Sequence, residues 1–271
     1  MSYLNSGTGY GNTGGAYSNQ GYGKTTSYTH PLHEYFQSMS KLEKIAKYTH
    51  KNASIETKTQ KIHSYTSTNG TYLKNKTPAE HLFLNPNRPL TKQISTENEI
   101  MQYIKQAFEK TTGKKLSPEF TKITILNEKD FRKLHENNNG IWHSGLQGFA
   151  VNRNGIGINE IFVKQNRLDS LMLTIGHEIG HIMSPTLKNT TDEEAKAFAF
   201  SLEWMRAIKD NNIAGIAECI NPNPAKNGLH DKAFEFVTEM IKEGKTPMQI
   251  FKELTKGEIS LSKKLEVVCL T

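Results

Sequence analysis

Cysteine is scarce in this chain: Cys219 and Cys269 are the only two among 271 residues, fifty positions apart and outside any C-x-x-C spacing. That excludes a disulfide-built scaffold, and it fits two reduced thiols in a cytoplasmic protein. No run of 18 or more apolar residues occurs, so no membrane span is expected. The opening residues MSYLNSGTGYGNTGG lack both a basic n-region and an apolar h-region, so they do not read as a secretory signal. All ten tyrosines lie at or before Tyr103, which leaves the later chain without a phenol for any chemistry.

The net charge of +7 has a position. Residues 1–93 hold eleven Lys and Arg against four acidic residues, whereas 94–271 hold 23 of each sign. Any attraction to an anionic partner therefore belongs to the N-terminal third. That third has no aromatic interleaving and no binding module, so nucleic acid is not an expected partner.

Three regions follow from composition. Residues 1–30 are built mainly from Gly, Ser, Asn, Thr and Tyr, with no aliphatic residue except Leu4 that could seed a core, a composition expected to form a disordered tail. Residues 31–95 form a basic helix and linker region. Leu32, Tyr35, Phe36, Met39, Leu42 and Ile45 recur at helical spacing to about residue 60, and a polar stretch with Asn69-Gly70 and NPNRP follows. Residues 96–271 read as the folded domain.

Within that domain Ile100, Tyr103, Ile104 and Phe108 make a helical stripe closed by Thr112-Gly113. FTKITILN alternates as a strand, and EKDFRKLHE is a short helix. Residues 146–151 and 156–163 read as two strands of a hairpin turning through Asn152 to Gly155. Helices are expected up to Pro185, from about Thr191 to Asp210, from Asp231 to about Glu243, and after Thr246-Pro247. Strands first and helices later describe an α+β domain.

The stretch LMLTIGHEIGHIM, residues 171–183, carries the chemistry. His177 and His181 stand one helical turn apart, so their imidazoles converge on one ion. Glu178, about 100° round the axis, sits beside that ion and can take a proton from a water there. The neighbours are apolar, and Glu178 is the only charged residue of the thirteen. Two His and a Glu in a buried helix need a partner, because unpaired buried polar groups cost roughly 2–7 kcal/mol each. Gly176 and Gly180 each cost a helix interior about 1 kcal/mol against Ala, and imply that another backbone or a ligand passes close. A catalytic zinc takes three protein ligands and leaves one position open. The third is expected where the chain folds back, at Glu193 or Glu194. Either can instead cap the helix, since Thr190 with Glu193 and Thr191 with Glu194 both form a T-x-x-E box.

HEIGH followed by Glu194-Ala195-Lys196-Ala197-Phe198-Ala199, with a strand pair ahead of both, resembles the zincin metallopeptidases. The likeness is to their gluzincin branch, and most to the small minigluzincin and ImmA/IrrE types. It covers roughly residues 97–210. The resemblance implies a zincin-like fold and a zinc endopeptidase with protein or peptide substrates. It implies His177, His181 and Glu194 as metal ligands and Glu178 as general base, and a substrate held by β-addition along the strand before the metal helix, here 156–163. It also implies an oxyanion donor, Tyr or His, beyond the third ligand. His230 is the only histidine after Glu194, with His143 and Arg206 as alternatives. A zinc-binding but catalytically silent interaction protein is the competing class.

Overall fold

The computed structural model describes residues 62–64, 82–222 and 232–261, which contain six α-helices and two small β-sheets. The tail reading of 1–30, the helix expected over 31–60 and Cys269 all lie outside the described residues. Among the described residues no helix is long and apolar enough to cross a membrane.

Local signals set most boundaries. Helix α1 (Met101–Thr112) ends on Gly113, which adopts the left-handed conformation at φ 72° that a side chain would strain. Strand β3 (Thr121–Leu126) alternates buried and more exposed residues, and helix α2 (Glu128–Asn137) follows at once because the Asn127 side chain caps it, accepting from Asp130 N. Strands β4 (Gly148–Val151) and β5 (Asn159–Lys164) lead to helix α3 (Leu168–Ile182), which carries the histidines. Helix α4 (Thr190–Asp210) returns along it, and α5 (Lys232–Lys242) and α6 (Pro247–Lys256) pack on α4. Helix α6 opens with a capping box between Thr246 and Gln249 and with Pro at its first position.

The main sheet also contains β1 (Ile62–Ser64), in the order β1-β4-β5-β3. Strand β5 pairs antiparallel with β4 and parallel with β3, and β1 pairs antiparallel with β4. This corrects the expectation that residues 156–163 form the substrate edge. Strand β5 is interior, with both backbone edges occupied, because β3, whose Thr121 lies opposite Asn159 from earlier in the chain, takes the side left open in a simple hairpin. The hairpin turn is also longer than Asn152 to Gly155: Asn154 and Gly155 do take positive φ, but pairing with β4 resumes only at Glu160, opposite Val151, and Ile156 and Ile158 stay exposed.

The packed body reaches N-terminally beyond Thr96. Phe83 and Leu84 are in the core, Asn85 N donates to Cys219 O, and Arg88 pairs with the fully buried Asp169 at 2.6 Å. A second sheet joins β2 (Gln93–Ile94) to β6 (Asn166–Arg167), tying the same segment to the start of α3. The residues from 82 onward are thus folded against α3 rather than linking to it.

Every residue of α3 is buried, between β4 and β5 on one side and α4 on the other. The glycines make the second contact close. A Cβ at Gly180 would lie 2.8 Å from the Ala197 Cα, and one at Gly176 would lie 2.4 Å from the Trp204 ring. Another backbone does pass there, and it is α4. Gly180→Val should therefore push α4 away, costing about 1–3 kcal/mol of stability from overpacking, which a shift of the urea midpoint at constant m would show. A midpoint unchanged from wild type would mean the helices are not held at this spacing.

Candidate metal centre

The close α3–α4 crossing decides which carboxylate reaches the histidines. Positions 204, 197 and 194 lie along one side of α4, and they meet 176, 180 and then the two imidazoles in turn. His177 Nε2 and His181 Nε2 stand 3.2 Å apart, with Glu194 Oε2 3.5 Å from the first and Oε1 3.8 Å from the second. One donor atom from each of the three residues lies within 4.8 Å of the others. The structure thus brings together His177, His181 and Glu194.

The adjacent Glu193 does something different. Its carboxylate, with no exposed surface, takes a bond from His181 Nδ1 at 2.9 Å, from Lys196 Nζ at 2.8 Å and from Leu187 N at 2.7 Å. Burial pushes the Glu193 carboxyl up, but these donors outweigh it and hold it at about 2. A carboxylate facing Nδ1 places the proton on that nitrogen, so the His181 Nε2 lone pair is directed at the cluster. Burial holds His177 near 3, in the neutral form that can ligate. The T-x-x-E capping reading applies to neither glutamate. Asn189 is the cap, its side chain accepting from Thr191 N and Asp192 N. Both glutamates turn toward the histidines of α3.

The donor set suits a metal ion. Two imidazole Nε2 atoms at 3.2 Å can share at most one proton, and with the Glu194 carboxylate beside them they match the His/His/Glu ligand type of zinc sites. Glu178 sits next to this cluster, fully buried, on the side of α3 that meets β4. A Cβ at Gly148 would lie 3.1 Å from Glu178 Oε1 and 2.7 Å from Thr174 Cγ2. The strand can therefore pass directly over the carboxylate only because residue 148 has no side chain. At the far end of β4, the Asn152 amide donates to His181 O at 2.8 Å and to Ser184 O at 2.7 Å. Phe198 packs edge-on against the His177 ring, 5.1 Å between centroids, with Phe83 and Phe234 behind it.

Gly148, Asn152 and Lys196 were not singled out as parts of the site. Gly148 carried a signal, since glycine inside a strand marks close approach of another group. Asn152 reads as turn chemistry, and a lysine in an amphipathic helix reads as solvated, so neither had one. Of the expected oxyanion donors, His230 lies outside the described residues. His143 is within electrostatic reach of His135, which packs on Phe149 in the smaller core on the sheet face away from α3. Arg206 is corrected: it follows Glu194 by twelve positions, about 18 Å along the helix axis, and it pairs with Glu203. No protein-family model, curated protein or solved structure matches the chain.

Proposed function

We propose that the chain is a cytoplasmic zinc-dependent endopeptidase with a zincin-like fold of the gluzincin branch. The observation that carries this is the convergence of His177, His181 and Glu194 with a buried glutamate, Glu178, adjoining the first histidine. His177 and His181 would hold the ion through Nε2, and Glu194 through a carboxylate oxygen. The bound zinc would supply Lewis acidity, lowering the pKa of a water and polarising the scissile carbonyl.

The rest of the chemistry falls to the chain. Glu178 accepts the proton of the attacking water and delivers it to the departing amine, a general base and then a general acid. Its position under β4 supports a substrate lying extended beside that strand, which places a peptide bond next to the carboxylate. Glu193 and Lys196 keep the His181 ring oriented while remaining away from the substrate. Asn152 fixes the end of α3 to β4, so metal ligands and substrate strand keep one register.

Metal analysis should give one zinc per chain, with peptide hydrolysis lost to a chelator and restored by zinc. Glu194→Gln should lose zinc to chelator far more readily than Glu193→Gln, since removing an outer partner of a ligand costs about 10- to 100-fold in affinity and removing a ligand costs more. A chain that holds zinc yet cleaves no member of a broad peptide pool would favour the silent interaction protein. Glu193→Gln proving the weaker binder would reverse the assignment of the two glutamates.

A further inference from the structure

Strand β4 is the strand that touches the site, yet its outer edge is taken. Residues 62–64 pair with it antiparallel, Ile62 with Val151, His63 with Ala150 and Ser64 with Phe149. The register brings Ser64 to within one residue of Gly148, the position over Glu178, while Ile62 lies beside the residue preceding Asn152, which holds the His181 end of the helix. The β1 backbone therefore runs along the length of β4 that spans the candidate metal centre.

Strands in a sheet are about 4.8 Å apart. A peptide bonded to β4 would lie in the position of β1. One added outside β1 would be displaced from Glu178 by a further strand spacing of about 4.8 Å. The Glu178 carboxylate and both histidines are also buried, with exposures of 0–1%, beneath the sheet whose edge β1 completes. We infer that residues 62–64 occupy the substrate edge of β4, so that the folded chain is a latent peptidase activated by withdrawal of β1. The occupant is the chain's own N-terminal region, bound as an extended peptide binds in β-addition. Three residues form a short ladder, one that a competing peptide or a proteolytic cut upstream can displace. This inference rests on the peptidase reading above.

The test uses the full zinc-loaded chain in two opposite forms. Ile62→Cys with Val151→Cys, and separately His63→Cys with Ala150→Cys, lock β1 to β4 under oxidation and free it under reduction. Adjacent antiparallel pairs alternate in spacing, so the two designs sample both geometries. His63→Pro removes a backbone donor and releases the ladder. Activity is read with a pool of quenched fluorescent octapeptides. Binding of the same pool is read by anisotropy with Glu178→Gln added, independently of turnover. If β1 is withdrawn about 1–10% of the time, its release should raise apparent peptide affinity about 10- to 100-fold. The oxidised lock should abolish binding and cleavage, and reduction should restore both to the wild-type level. Equal binding and cleavage in locked, wild-type and released chains would overturn the latency and leave the peptidase reading standing. If no form binds or cleaves any peptide while all carry zinc, the peptidase reading fails and this inference fails with it.

Discussion

Glu178→Gln should leave one zinc per chain and remove peptide hydrolysis. Glu178 lies beside His177 in sequence but faces β4, where the Cβ position of Gly148 is 3.1 Å from Oε1. It is not one of the three residues whose donor atoms converge. Glutamine has nearly the same shape, so the fit beneath β4 is retained. What it lacks is a basic oxygen. General acid–base catalysis contributes about 100- to 10,000-fold, and the variant's kcat should fall by at least that range with metal content unchanged. Metal analysis and peptide cleavage on the same preparation decide it. Loss of zinc in the variant would make Glu178 a ligand, and full activity would remove it from the chemistry.

How much of this was legible in the sequence depends on whether the deciding contact was local. The HExxH turn, the cap at Gly113, the Thr246-Pro247 helix start and the α3 and α4 boundaries are set within a few residues, and they fall close to where periodicity and turn chemistry place them. Gly176 and Gly180 announced a close neighbour, though not that it would be Trp204 and Ala197. The edge assignment was not legible. Residues 156–163 do include a strand, but its place in the sheet depends on β3 pairing parallel with it, from Thr121 against Asn159 to Leu126 against Lys164. Nor did composition mark residues 82–94 as packed, since Arg88 and Thr91 look like surface residues until the buried Asp169 is placed between them. Within the candidate site, choosing between Glu193 and Glu194 required the rotation of α4 about its own axis. A capping signature fits both registers, and only Asn189, which takes the cap itself, separates capping from metal binding.

Lys196→Met should be strongly destabilising, because it breaks a fully buried ion pair from one side. The ammonium has no exposed surface and three oxygen partners: Glu193 Oε1 at 2.8 Å, Ser184 Oγ at 3.0 Å and His181 O at 3.2 Å. Methionine fills much of the same volume, so the loss is one of charge rather than packing. The Glu193 carboxylate is then left buried with only His181 Nδ1 and Leu187 N as donors. Breaking a buried ion pair from one side costs about 3–5 kcal/mol, a large share of a typical total stability of about 5–15 kcal/mol. Glu193→Gln combined with Lys196→Met removes both charges, and glutamine can still accept from His181 Nδ1. The double variant should therefore be more stable than Lys196→Met alone. Urea unfolding with the metal chelated keeps zinc linkage out of the comparison. The two single variants and the double form a cycle whose coupling is the quantity sought. A Lys196→Met cost under about 1 kcal/mol, within the range of an exposed pair, would show that the ammonium does not hold Glu193. The orientation of His181 would then rest on the Glu193 carboxylate alone.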